Sequence, residues 1–272
     1  MKQAQKIIKY VAIAFGLYLA INIIGWIIFG FTMLLGIDIG RNIFIGNSEE
    51  LVQYGQTFSN VEELDIEIAF SDLEIKIGDE LKVEGQIYED YKIEAQNKIL
   101  KIEDTGKRWN INANSGSKLT LYIPKDFKFN KAKIEIGAGT TNIEKLSATD
   151  LDLNLGAGAV KIQNCEAEKS DIECGAGKVT IEESSLKDLK LNAGVGELHY
   201  NGYILGTSKV ECGIGKLTLD LSGGEKLYSI EAEHGIGEIR LNGDKIEDNQ
   251  TKGSGENKIK IEGGIGEIQI NM

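Results

Sequence analysis

Five residues of this chain carry side chains that enzymes and metal sites commonly recruit: His199, His234, Cys165, Cys174 and Cys212. Cys212 and His234 each stand immediately before a Gly-x-Gly triplet, one repeat apart. One rung apart, their side chains could meet, as a Cys–His pair for a metal or a nucleophile. Two ligands are too few for a closed metal site, and the sequence offers no third. His199 falls on an outward position of an earlier repeat. Cys174 and Cys212 share one repeat position, with Ala193 between them. Two strand spacings separate them, about 9–10 Å, beyond the ~7 Å reach of a disulfide. All three cysteines read as small buried apolar residues, with inert thiols.

The strings Gly175-Ala-Gly-Lys-Val-Thr180 and Gly213-Ile-Gly-Lys-Leu-Thr218 resemble a phosphate loop only superficially. A Walker A loop needs G-x-x-x-x-G-K-[ST], whereas Lys178 and Lys216 are followed by Val and Leu. The calcium-binding nonapeptide of some β-helices is also absent. Asp152, Asp171, Glu173 and Glu211 read as a solvated charged face. Glycan-cleaving β-helices need focused carboxylates over a groove, and the outward positions here mix Asn, Lys, Glu, Asp and Thr without focus. The chain is expected not to be an enzyme, with no catalytic, cofactor-binding or metal-binding residue assigned and no cofactor.

What positions these residues is a repeat. Gly-x-Gly triplets begin at Gly137, Gly156, Gly175, Gly194, Gly213, Gly235 and Gly264, at intervals of 19, 19, 19, 19, 22 and 29 residues. Apolar residues alternate on both sides of each triplet, as in Leu151, Leu153 and Leu155, then Val160 and Ile162. Period two on both sides predicts two short strands meeting at a glycine corner. A 19-residue unit cannot bury its apolar face alone but can do so against its neighbours. The fold predicted is all-β: a single-chain β-solenoid of stacked ~19-residue rungs with Gly-x-Gly corners, preceded by one N-terminal transmembrane helix. The corner glycines are expected to combine positive φ with close stacking. The middle residue (Ala, Ala, Ala, Val, Ile, Ile, Ile) is expected to pack inward or against its ladder neighbours.

Upstream, Ile68-Ala-Phe-Ser-Asp-Leu-Glu-Ile75 aligns with Ile136-Gly-Ala-Gly-Thr-Thr-Asn-Ile143, its glycines replaced. Strands are predicted at 81–88, 91–95, 99–103 and 118–123, and a strand end at the only proline, Pro124. Trp109 and residues 110–117 read as a loop. This order, with Leu119-Thr-Leu-Tyr-Ile-Pro-Lys-Asp-Phe127 leading into the first Gly-x-Gly, resembles the bacterial DUF4097-type β-solenoid family, adhesin-like and of unknown function. The likeness spans about residues 60–270. It implies a cell-envelope β-solenoid, often beside a membrane segment and linked to envelope stress, and supplies no catalytic motif.

The chain has 272 residues, 33 of them Gly and one Pro, with 42% hydrophobic content, which argues against a disordered chain. Its net charge of −12 disfavours a nucleic-acid binder, which needs a clustered basic face. Tyr10 to Ile37 contains no charged residue, while Lys2, Lys6 and Lys9 precede it and Asp38 and Arg41 follow. Apart from these five, 26 bases and 41 acids carry −15. The 28-residue apolar run exceeds the ~20 that cross a bilayer. It is too long for a buried core helix or for the ~7–15-residue core of a cleavable signal peptide, and no Ala-x-Ala closes it.

The domain assignment is a cytoplasmic stub at 1–9, a transmembrane helix at 10–37, a juxtamembrane linker at 38–59 and the solenoid at 60–272. The three lysines put the N-terminus in the cytoplasm and the body outside. The expected role is a membrane-anchored extracytoplasmic interaction module with a protein or cell-wall partner. The alternative is an envelope-stress sensor or regulator acting through a membrane partner, since a nine-residue stub holds no signalling domain. A glycan-acting enzyme comes third.

Overall fold

The structure, a computed structural model, describes residues 51–105, 116–247 and 250–272. The apolar run at 10–37, its lysine flank, the linker up to residue 50 and Trp109 with the start of its loop lie outside the described residues. Among the described residues no helix is long and apolar enough to cross a membrane.

The chain forms β1 (Leu51–Thr57), β2 (Glu63–Gly78), β3 (Lys82–Tyr88), β4 (Tyr91–Gln96), β5 (Ile99–Asp104), β6 (Ser117–Pro124), β7 (Phe129–Ile143), β8 (Leu146–Gln163) and β9 (Cys165–Lys187). It continues with β10 (Leu189–Leu205), β11 (Thr207–Leu221), β12 (Tyr228–Leu241), β13 (Asp244–Lys245), β14 (Gln250–Lys252) and β15 (Asn257–Asn271). One 3₁₀ turn, Glu225–Leu227, precedes β12. β1 falls in the stretch assigned to the linker: it pairs antiparallel with β3, so the sheet takes in residues upstream of 60.

β7 to β11 are the predicted rungs. Each runs through its Gly-x-Gly as one bent strand, and each pairs in parallel with the next at an offset of 19 residues, as in Leu153↔Ile172↔Leu191↔Val210. Equivalent side chains stack into ladders. Ile66, Ile134, Leu153, Ile172, Leu191, Val210, Ile261 and Ala232 form one of them, and all are buried. A parallel stack of strands with one face inward buries this apolar period at every rung.

The last two repeats do not stack in chain order. β15 lies between β11 and β12, so Gly264 is the neighbour of both Gly213 and Gly235. The longer intervals of 22 and 29 residues reflect this. The chain passes over one empty slot after β11, builds β12, and returns to fill the gap. Asn257 fastens the returning strand. Its Oδ1 accepts from Gly206 N at 2.8 Å and its Nδ2 donates to Leu227 O at 3.1 Å, tying β15 to the turns on both sides.

Phe70 pairs with Ala138 and Ile75 with Ile143, so 68–75 is the glycine-free counterpart of a corner, as the alignment predicts. The reason lies in the direction of the missing Cβ. A Cβ on Gly156 would come within 2.2 Å of Gly137 O, and one on Gly175 within 2.3 Å of Gly156 O, always towards the preceding rung. The rung before β2 is β5, paired with it up to Glu103, plus β6, paired with it from Ser117, and among the described residues none of that rung pairs with Ile68 to Phe70. Ser71, paired with Ser117, lacks the positive φ of the corner glycines, so a side chain fits there, and Ser71 Oγ donates to Ser117 O at 2.9 Å.

The ends of the sheet are covered by antiparallel pieces. β3 pairs with β6 and β4 with β5 on one side, and β13 and β14 cover parts of β12 on the other. Such covering blunts strand edges that would otherwise template pairing with other chains. β6 ends at Pro124, where Phe127 N closes a turn on Pro124 O at 2.9 Å.

Candidate functional site

The rung order corrects the Cys–His expectation. Cys212 is in register with Gly263, and Gly263 with His234. The two residues are thus two rungs apart, about 9.6 Å at the usual strand spacing, because β15 intervenes. Cys174, Ala193 and Cys212 form the ladder that the repeat predicts, and all three thiols are free and buried. Burial pushes Cys165 and Cys174 up to about 12 and raises Cys212 as well. Cys165 therefore stays protonated in the folded chain while an unfolded thiol, near 9, ionises. The folded state then holds the extra proton, so stability falls as pH rises from about 9 towards 12. At pH 8.5, Cys165 should react with iodoacetamide at least about 100-fold more slowly in the native chain than in urea. Comparable rates would show an open thiol.

His199 is half-exposed, with Nε2 3.5 Å from Asp220 Oδ2, and Asp220 Oδ1 accepts from Asn271 Nδ2 at 2.5 Å. Among the described residues no three His, Cys, Asp or Glu side chains are placed to hold one metal ion. Lys178 and Lys216 sit just past stacked corners and face carboxylates, Glu197 at 3.9 Å and Glu267 at 3.7 Å. Glu211 pairs with Lys209, and Asp171 with Lys190 at 3.9 Å. A cleft of about 300 Å³ beside Glu67, Asp104, Glu135 and Asn154 is acidic, but Lys133 already engages Glu135 at 2.8 Å.

The corners supply a feature whose direction the sequence left open. The second glycine of each triplet adopts φ between +135° and +149°. The bend brings both glycines against the backbone of the preceding rung and turns the middle side chain out of the sheet. Val195, Ile214, Ile265 and Ile236 are 55, 47, 42 and 66% exposed, rather than packed inward. In stacking order the middle residues read Phe70, Ala138, Ala157, Ala176, Val195, Ile214, Ile265, Ile236. The result is a ridge, small in its first half and aliphatic in its second. Two residues on, Lys178, Glu197, Lys216, Glu267 and Glu238 run beside it in register. The steady enlargement from Ala to Ile between two glycines was visible in the sequence; its outward aim was not.

Residues 60–271 match the family described as Toastrack DUF4097. No curated protein matches the chain. Among solved structures, a "putative adhesin" from Bacteroides fragilis is similar at 14% identity and a TM-score of 0.54, covering 82% of this chain and 98% of its own. A "putative cell adhesion protein" from Clostridium sporogenes is similar at 19% identity and a TM-score of 0.36, covering 82% and 99%. A "putative lipid binding protein" from Parabacteroides distasonis has 16% identity and a TM-score of 0.45, covering 83% and 98%. At such identities the likeness to the Bacteroides fragilis protein is one of fold.

Proposed function

This chain belongs to the Toastrack DUF4097 family, and we propose that it is a non-catalytic interaction module of the bacterial cell envelope. In this reading, residues 10–37 anchor it by a single membrane span, with the N-terminus cytoplasmic and the sheet outside. The observation that carries the interaction role is the aliphatic ridge. Four β-branched side chains, each 42–66% exposed, form one contiguous strip on a strongly acidic protein. Exposed apolar strips of this kind mark contact surfaces, since leaving them in water costs free energy. The anchor rests on the uncharged run and the orientation on Lys2, Lys6 and Lys9.

Protease added to intact protoplasts is expected to degrade the body at once. A body that survives until lysis would reverse the orientation. A photo-crosslinking amino acid at Ile214 in intact cells is expected to trap an adduct. The same group at Lys187, the exposed last residue of β9 and off the ridge, is expected to trap none. Equal trapping at both positions, or none at Ile214, would remove the ridge as a contact surface.

A further inference from the structure

We propose that the partner of this ridge is the same ridge of a second copy, packed antiparallel about a two-fold axis between β10 and β11. The inference rests on the ridge being a contact surface and goes further in naming its occupant. It comes from applying isologous symmetry, in which one patch must complement itself, to the observed stacking order.

An axis midway between β10 and β11 sets Val195 against the partner's Ile214, Ala176 against the partner's Ile265, and Ala157 against the partner's Ile236. Each large side chain beyond the centre thus meets a small one, and the two backbones stay evenly spaced. Rotation about an axis that runs along the strands keeps the flanking charges on the same side of the ridge. Lys178 then faces the partner's Glu267, and Glu197 faces the partner's Lys216. At the far end Ala159, uncharged, faces the partner's Glu238, which Arg240 at 3.2 Å and Lys245 at 3.8 Å already neutralise.

Neighbouring registers match charge or side-chain size less well. An axis through β10 sets Glu197 on itself and Lys178 on Lys216. One through β11 sets Glu197 on Glu267 and Lys216 on itself. One between β11 and β15 sets Lys216 on Glu267 but puts Ile214 on Ile265 and Val195 on Ile236, large on large, and leaves Lys178 no partner. One between β9 and β10 sets Lys178 on Glu197 but Lys216 on Ala159 and Glu267 on Thr140, half the ion pairs. A parallel arrangement, with the axis along the ridge, sets Ile236 on Ile236 and Ala157 on Ala157, so the backbones cannot stay evenly spaced, and it carries the two rows of charges to opposite sides of the ridge, where none meets a complement. Like charges brought together in an interface are costly, and among these registers the axis between β10 and β11 alone sets all four of Lys178, Glu197, Lys216 and Glu267 against opposite charges. On the other side of the ridge, Cys174, Ala193, Cys212 and Gly263 contribute no charge at the same distance from it.

The strip is narrower than the ~800 Å² per partner of a standard interface. The contact is therefore expected to need the high effective concentration of chains held in one membrane. The test uses the full chain in native membranes. Ala157→Cys and Ile236→Cys lie five rungs apart within one chain, about 24 Å at the strand spacing, so they cannot bridge internally. Across the axis they adjoin. Oxidation of the double variant should give a covalent dimer, and neither single variant should. A dimer from Ile236→Cys alone would indicate the parallel arrangement, and no dimer from the double variant would refute the contact.

A charge test keeps the question open to refutation if cysteines disturb the ridge. In chains crosslinked through the photo-reactive group at Ile214, Lys178→Glu should lower the dimer yield at least about threefold, and adding Glu267→Lys should restore it. Loss without rescue counts against the register. An adduct at Ile214 whose mass is not twice that of the chain, or one to lipid, overturns the homotypic partner and leaves the interaction role standing. No adduct at all removes both.

Discussion

Replacing Gly177 with Val is expected to cost the sheet about 3 kcal/mol or more, while Lys178→Val shifts stability by less than ~0.5 kcal/mol. The two substitutions introduce the same side chain one residue apart, so β-propensity cannot explain a difference. At Gly177, φ is +135°, a conformation that branched side chains rarely adopt, and an added Cβ would lie 2.0 Å from Gly158 O. Backbone cannot yield there without pulling apart the next rung. Lys178 is a side chain 68% exposed, with only a 3.9 Å ion pair to Glu197, worth little at a surface. Thermal or urea unfolding of the two variants measures the contrast. Equal shifts would refute the corner geometry. The glycine-free corner of β2 shows what the rule depends on: Ser71 lacks the positive φ of the corner glycines, and among the described residues of β5 and β6 none pairs with Ala69.

Removing residues 257–272 is expected to strip β12 of native structure while leaving β7, β8 and β9 folded. β15 supplies Ile259, Ile261, Ile268 and Ile270 to the core and is, among the described residues, the one long parallel neighbour of β12. The remaining pairings of β12 are three residues with β14 and two with β13. In a stacked array, stability comes from each unit and its nearest neighbours, so loss of one rung frees the next before it reaches the rest. Amide hydrogen exchange should show protection lost at Tyr228–Leu241 and retained in β7 to β9. Persisting protection at Tyr228–Leu241 would mean that β12 had moved directly onto β11, and would refute β15 as its support.

Much of this fold was legible in the sequence because each rung obeys the same local rule. Alternating apolar residues on either side of Gly-x-Gly determine two strands, one inward face and a corner, and a constant 19-residue spacing determines the register between copies. The degenerate copy at 68–75 was legible for the same reason: Ile68, Leu73 and Ile75 keep the inward positions although the glycines are gone. The burial of Cys174 and Cys212 followed likewise, since Leu155 and Ala193 fill the same slot in sister rungs.

Where the middle residue of each corner points was not legible. Alternation assigns faces only along an extended strand, and a positive-φ glycine resets that alternation at the bend. The stacking order of the last rungs was not legible either. β12 and β15 carry nearly the same pattern, His234-Gly-Ile-Gly-Glu-Ile-Arg-Leu241 and Gly263-Gly-Ile-Gly-Glu-Ile-Gln-Ile270, so local energetics cannot tell which belongs beside β11. Contacts far apart in sequence decide it: Asn257 reaching Gly206 and Leu227, and the turn at Glu225–Leu227 that carries the chain over the vacant slot. That same decision separated Cys212 from His234 and set Glu267 between Lys216 and Glu238. The amino-acid sequence by itself determined what a rung is and how two rungs fit. Only the tertiary structure decided which rungs touch, because strands with interchangeable patterns are distinguished by their connections and not by their own residues.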